Sequence, residues 1–275
     1  MNINDVNEVK QEFQKLKELF DQGDKESAAQ MIHELLEDIE QQEKDKEKTS
    51  GKDAVYLSLN HVMEYYIYVY YFKPETDVLT TELPIHEYYR TYGDLCMQIE
   101  KFHAAEAAYK KSIAWNPVDL DSILALAETY KYMNKLQKYL DTTKQAYRYC
   151  CTRATMARYY RNMGYYYLAN YKPDIARACY VYSNIYYHTD NADNELKYLE
   201  EALKDQTPKL EIKQMQKIFD ENQIQPGPES DTIGVVYRVG ELMMQDGEHK
   251  LAKDCFSIVY DITQEKALED LLNEL

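Results

Sequence analysis

The feature that most constrains this chain is a recurring spacing of small and aromatic residues. Gly93 is followed by Ala105 at twelve and Tyr109 at sixteen positions. Gly164 is followed by Ala176 and Tyr180 at the same two intervals, and Gly240 by Ala252 and Phe256. A weaker copy centres on Ala127, thirty-four after Gly93, with Tyr130 three after it and Ala146 nineteen after it. Periods of this length mark chains made of one repeated supersecondary unit, each too small to bury its apolar face alone. The spacing has a helical explanation. A small residue on a first helix lets a second helix approach closely, and a small residue on the second does the same in return. The aromatic four residues later lies one turn along the same face, where it is expected to fill the seam to the next hairpin. Pro117, twenty-four after Gly93, is placed to stop the second helix.

The flanking segments read as helices too. Residues 5–22 carry Val9, Phe13, Leu16, Leu19 and Phe20 at helical intervals, and residues 25–42 carry Ala28, Ile32, Leu35, Leu36 and Ile39. Gly23-Asp24 between them marks a tight turn. The charged stretch 43–53 holds no apolar residue and reads as a solvated linker or frayed helix end. A helix is expected from Ala54 to Phe72, stopped by Lys73-Pro74, with a loop over 75–84. The step from Ala127 to Gly164 is 37 residues, so the connection around Cys150–Ala154 is lengthened. Shorter helices follow near 192–204 and 209–223, and then the Pro/Gly-rich break 224–230. With only 8 Gly and 7 Pro in 275 residues, long helices are favoured over many short strands. The expected fold is all-α, an α-α superhelix of antiparallel hairpins. Its expected divisions are an N-terminal hairpin and charged linker (1–53), central repeats (54–205) and C-terminal helices with a final hairpin (206–275).

These intervals resemble the tetratricopeptide repeat family. The copies cover about 86–119, 120–151, 157–188 and 233–266, and YRTYGDLCMQIEKFHAAEAAYKKSIAWNP is the strongest. The resemblance implies a solenoid whose first helices line a concave groove, and a non-enzymatic scaffold or adaptor that binds a protein or peptide there. Mapped from the anchors, the groove-facing candidates are Arg90 and Asp94, then Asp121 and Glu128, then Arg158, Arg161, Asn162 and Tyr165. Some members clamp a C-terminal carboxylate with basic and Asn residues. Arg90 and Arg158 occupy basic clamp positions, but Asp94 and Ala125 stand where Asn is expected and Asn162 where Arg is expected. A different acidic or mixed peptide is the expected partner.

Charge narrows the partner class. The formal net charge is -16, which argues against nucleic acid as a partner. Residues 144–180 run the other way, with Lys144, Arg148, Arg153, Arg158, Arg161, Lys172 and Arg177 against the single acid Asp174. That segment is either a basic patch for an acidic partner or an internal electrostatic seam. Arginine supplies planar paired donors that suit carboxylates.

No catalytic motif stands out, and neither a cofactor nor a metal is expected. The six His show no ligand spacing and the five Cys no CxxC. The thiols are expected to be reduced and mostly buried, in a cytoplasmic protein. The longest apolar run, Tyr65–Phe72, is too short to span a bilayer, and no membrane partner is expected. The 28 Tyr suit half-buried helix seams, with some available for recognition. An alternative reading is a regulator similar to bacterial repeat proteins that sense signalling peptides, with an N-terminal helical effector. Residues 1–53 hold 15 acids and 8 bases, which argues against DNA binding there.

Overall fold

The computed structural model describes residues 6–50, 53–203 and 210–275. The first residues of the N-terminal helix, part of the charged stretch 43–53, and the inner ends of the expected helices near 192–204 and 209–223 lie outside the described residues. Contacts divide the chain into two compact units, residues 1–134 and 135–275.

The first unit holds α1 (Val6–Asp21), α2 (Lys25–Ser50), β1 (Ala54–Leu57), α3 (Val62–Phe72), β2 (Asp77–Thr80), α4 (Ile85–Gln98), α5 (Phe102–Trp115) and α6 (Leu120–Tyr132). Helices α1 and α2 form a hairpin, α2 packs on α4, α4 pairs with α5, and α5 packs on α6. Gly23 makes the first turn at φ 84°, where only glycine sits without strain. The residues expected to face inward on α2, from Ala28 to Ile39, are buried with Val9 and Leu16 of α1 and Ile85, Tyr89 and Leu95 of α4.

The second unit holds α7 (Leu136–Tyr147), α8 (Arg153–Ala169), α9 (Pro173–Tyr186), α10 (Asp190–Leu203), α11 (Ile212–Asn222), α12 (Ser230–Gln245), α13 (His249–Thr263) and α14 (Lys266–Glu274). The hairpins α8–α9 and α12–α13 are its best-packed pairs; α7 packs on α8, α10 and α11 on α9, and α14 on α13. Thr152 opens α8 with a reciprocal capping box to Thr155, satisfying first-turn donors that would otherwise be orphaned. The architecture is thus the expected all-α succession of helical pairs, interrupted among the described residues by two four-residue strands.

The glycine register is confirmed, and the aromatic has a contact that the spacing alone did not announce. A Cβ on Gly93 would stand 2.6 Å from the Tyr109 ring, on Gly164 2.9 Å from Tyr180, and on Gly240 2.7 Å from Phe256. Each ring therefore lies over the glycine of its own hairpin. A tight turn between antiparallel helices returns the chain alongside itself, so a residue sixteen further on meets the glycine of the first helix.

The turns follow the same register. Glu100, Asn134, Tyr171 and Gly247 all have left-handed backbone, with φ of 59°, 53°, 58° and 80°. Each lies seven residues after the small residue of its copy, Gly93, Ala127, Gly164 or Gly240. The weak copy thus keeps the turn although it lacks the glycine. Left-handed backbone costs a side-chain-bearing residue roughly 1–2 kcal/mol, while glycine costs roughly 0.5–1 kcal/mol in chain entropy. Tyr171 is 93% exposed, so its side chain has little packing to lose. Tyr171→Gly is expected to stabilise the second unit by a few tenths of a kcal/mol to about 1 kcal/mol. Chemical denaturation followed by tyrosine fluorescence would check it, and a lowered midpoint would show that the turn is held by contacts of the ring.

Residues 54–83 depart most from expectation. The predicted helix from Ala54 begins only at Val62, and the predicted loop 75–84 contains a strand. Strands β1 and β2 pair in parallel, Ala54 opposite Asp77 through Leu57 opposite Thr80, with α3 as the crossover. Val55 and Tyr56 are good strand formers, and Glu64 accepts hydrogen bonds from the Asn60 backbone N–H (2.6 Å) and from its Nδ2 (3.0 Å), which fixes where α3 starts.

Candidate functional site

The eight candidate residues fall into two groups, one in each unit. In the first unit, Arg90 of α4 directs Nη1 to both oxygens of Asp119, at 3.1 Å each, and lies 3.7 Å from Asp121. Asp119 also caps α6 through the Ser122 N–H. Asp94 accepts the Tyr109 hydroxyl at 2.6 Å, and Glu128 pairs with Lys131 at 3.2 Å. Arg90 is therefore committed to the join between α4 and α6, whereas Asp94 and Glu128 sit at the surface and partly at the surface.

Behind Arg90 lies a buried polar cluster that no sequence motif announced. His86 is fully buried. Its Nδ1 lies 2.9 Å from Ser58 Oγ and its Nε2 2.8 Å from Asn60 Oδ1. Asn60 donates through Nδ2 to Glu64, so its Oδ1 faces the ring as an acceptor and Nε2 carries the proton. Asn116 donates to Glu64 at 2.8 Å, and Ser112 donates to the His86 carbonyl at 2.6 Å. Ser58 N–H donates to the Trp115 carbonyl at 2.9 Å. Burial lowers the His86 pKa from 6.5 to about 4, with Asp119 pulling it up and Arg90 adding to the depression. Ser58 and His86 are both sealed from solvent, and the serine hydroxyl sits between the ring and the Leu83 carbonyl. This arrangement clasps the 54–83 segment onto α4 and α5.

In the second unit, Arg158, Arg161, Asn162 and Tyr165 are brought together on α8, partly exposed. Intervals of three and four residues place them on one side of the helix. Tyr165 packs edge-on against Tyr139 of α7 at 5.4 Å, and Tyr147 meets Tyr159 at 5.1 Å. Between these ring contacts the antiparallel register sets the turn carrying Thr143 opposite that carrying Arg161 and Asn162. Arg161 Nη1 and Thr143 Oγ1 are both buried with no hydrogen-bond partner. Burial holds the Arg161 pKa below its ordinary value and the charge of Arg158 adds to this. Neither arginine meets a carboxylate among the described residues.

The rest of the basic segment divides by role. Arg153 is structural: its guanidinium donates to the carbonyls of Ile185 and Tyr186 at 2.9 Å each, closing the C-terminal end of α9. Arg177 of α9 is 8% exposed, with Nη2 buried and without a partner. Lys172 stands over the Tyr167 ring at 5.9 Å. Cys150 and Cys151 lie in the connection between α7 and α8, where the lengthened step was expected. Burial raises both thiols above their ordinary range, Cys151 to about 11, so neither is a ready thiolate. Of the five thiols, only Cys151 is not fully buried, and none forms a disulfide.

Most tyrosines behave as packing residues with useful tips. Tyr160 and Tyr182 pack with Phe219 and donate their hydroxyls to the carbonyls of Gln225 and Pro226, at 2.7 and 2.5 Å. Among the described residues no group of three or more His, Cys, Asp or Glu is placed to hold a metal ion. No described helix is long and apolar enough to cross a membrane.

No protein-family model matches this chain, and no curated protein matches it. Among solved structures it is similar to YrrB, described as "a TPR protein with an unusual peptide-binding site", at 14% identity and TM-score 0.36, over 68% of this chain and 91% of that one. It is also similar to the MamA protein at 18% identity and TM-score 0.37, over 66% of this chain and 93% of that one. The likeness of this chain to tetratricopeptide-repeat proteins rests on its own hairpins, in which Gly93, Gly164 and Gly240 each receive the aromatic ring sixteen residues on.

Proposed function

We propose that the chain is a non-enzymatic scaffold that binds a protein or peptide partner, and that the partner presents acidic groups to α8. Arg158, Arg161, Asn162 and Tyr165 form the contact surface. The observation that carries this reading is the state of Arg161, half-buried beside a like charge and with Nη1 unpartnered. A desolvated guanidinium without an anion costs stability. An incoming carboxylate would supply the missing acceptor and the missing countercharge, while Tyr165 offers a rigid apolar face beside it. Asp94 and Glu128 would make separate contacts on the first unit; Arg90, held by Asp119, would act by positioning.

The test is the double variant Arg158→Ala with Arg161→Ala, measured against a synthetic Asp/Glu-rich peptide and its Asn/Gln analogue. Loss of a buried interfacial charge pair typically costs about 2–5 kcal/mol, so the acidic peptide should bind at least thirtyfold more weakly while the helical signal is kept. The analogue should bind neither form. A single Arg161→Met variant separates recognition from architecture. It should lose the peptide yet melt at a higher temperature, because it removes an uncompensated charge and keeps the apolar stem. Full peptide affinity in the double variant would overturn the proposal.

A further inference from the structure

The first unit carries a second feature, of opposite chemistry. An open pocket of about 370 Å³ lies between α1 and α4. Phe13, Leu16 and Phe20 form one wall and Leu95 the floor of the other. Thr91, Asp94 and Gln98 line its polar side. The two walls meet where Phe13 stacks on Tyr88 of α4 at 4.0 Å, and beside that contact they leave an open trough in which a further helix would nest.

We infer that this trough is a docking site for a cationic amphipathic helix, whose apolar stripe enters the pocket and whose Lys or Arg side chains meet the α4 rim. Three observations select that occupant. The apolar wall Phe13, Leu16 and Phe20 repeats at three and four residues along α1, the period of a helical partner's own stripe. The polar rim Thr91, Asp94 and Gln98 repeats in the same way along α4, so bases one turn apart on the partner find acceptors one turn apart here. Asp94 is exposed, and its carboxylate is held in place by the Tyr109 hydroxyl at 2.6 Å, so it is oriented before any partner arrives. The charge of the unit acts in the same direction: residues 1–134 contain 26 Asp and Glu against 14 Lys and Arg. That field draws in a basic segment and repels an acidic one. The site is independent of the arginines on α8 and takes a ligand of the opposite sign.

The probe is a fluorescein-labelled peptide of Leu and Lys with Leu at helical a and d positions, titrated with the full chain and read by anisotropy. Two further peptides keep its length: one has the same composition in scrambled order, and one has Glu in place of Lys. The patterned Leu/Lys peptide should bind at least tenfold more tightly than the scrambled one, with affinity falling as salt is raised. The Leu/Glu peptide should not bind. Thr91→Arg puts a bulky cation at the mouth of the pocket on a partly exposed helix position, so it should weaken binding of the patterned peptide at least tenfold while leaving the helical signal and melting temperature intact. A benzophenone in place of the central Leu should crosslink to residues 13–20 or 91–98. Equal affinity of the patterned and scrambled peptides would reduce the interaction to unspecific charge attraction and overturn the inference. So would unchanged binding by a folded Thr91→Arg variant, or crosslinks confined to other segments.

Discussion

Gly164→Leu should lower the stability of the second unit by about 3 kcal/mol, within the range that overpacking of a close helix contact produces. The reason is geometric. Even the first carbon of a new side chain at Gly164 would stand 2.9 Å from the Tyr180 ring, and Tyr180 is 2% exposed, so the ring has nowhere to retreat. The gain in helix propensity on leaving glycine, about 1 kcal/mol, offsets only part of the clash. Gly234 is the matching control. It also lies inside a helix, but a Cβ there meets nothing within 4 Å. Gly234→Ala should therefore stabilise α12 by up to about 1 kcal/mol. A second variant tests the partner: Tyr180→Leu, destabilising alone, should recover part of the loss when combined with Gly164→Leu, a non-additivity that only contacting residues show. Urea denaturation followed by tyrosine fluorescence gives these differences. An unchanged midpoint for Gly164→Leu would mean that α8 and α9 are held apart in solution.

Acid should destabilise the first unit as pH falls from 6.5 to 4. His86 has a folded pKa of about 4 against 6.5 when exposed. Above pH 6.5 the ring is neutral in both states and pH has no leverage through it. As pH falls from 6.5 to 4, the unfolded chain takes up a proton that the folded chain refuses, so stability drops by up to about 1.4 kcal/mol per pH unit and by about 3 kcal/mol in all. Below pH 4 the folded form is protonated too, and the loss through this group stops growing. Protonated Nδ1 could donate to Ser58, whose hydroxyl could turn to the Leu83 carbonyl at 3.2 Å; the cost is the burial of charge and not a lost hydrogen bond. The single Trp of the chain, Trp115, lies in this unit and is 9% exposed. Its fluorescence in urea at stepped pH would isolate the transition. His86→Gln should begin less stable yet show a flat profile between pH 6.5 and 4.5. A slope equal to that of the parent would place the acid sensitivity on other groups.

What could be read in the sequence followed from side-chain type at fixed intervals. Gly93, Ala105 and Tyr109 announce a hairpin because only small residues permit so close a contact, and only a large ring fills the remaining space. The left-handed turns at Glu100 and Tyr171 were invisible, because those residue types do not advertise positive φ and tertiary packing imposes it, whereas Asn134 is of a type that adopts it readily. The strands of the 54–83 segment were missed because YYIYVYYF is apolar on every face, which hides where a helix begins, and because parallel pairing joins residues 23 apart. His86 was a scattered histidine among six; its partners Ser58, Asn60 and Asp119 are common residue types, and only folding brings them together. On α8 the excess of arginine was legible as charge. That Arg90 is occupied by Asp119 while Arg161 has a partnerless nitrogen depends on neighbours that no local pattern encodes.

The clasp around His86 also sets an order of events during synthesis. A simple array of helical pairs can close each pair as it emerges, because every contact is with an adjacent pair. Here the Ser58 N–H waits for the Trp115 carbonyl, 57 residues later, and Glu64 waits for Asn116, 52 residues later. Residues 54–83 therefore cannot settle until α5 has left the ribosome, and at about 5–20 residues per second that is a delay of several seconds. During that interval the aromatic helix α3, with Tyr70 and Phe72 still about half exposed in the finished fold, is the stretch of nascent chain in greatest need of a chaperone.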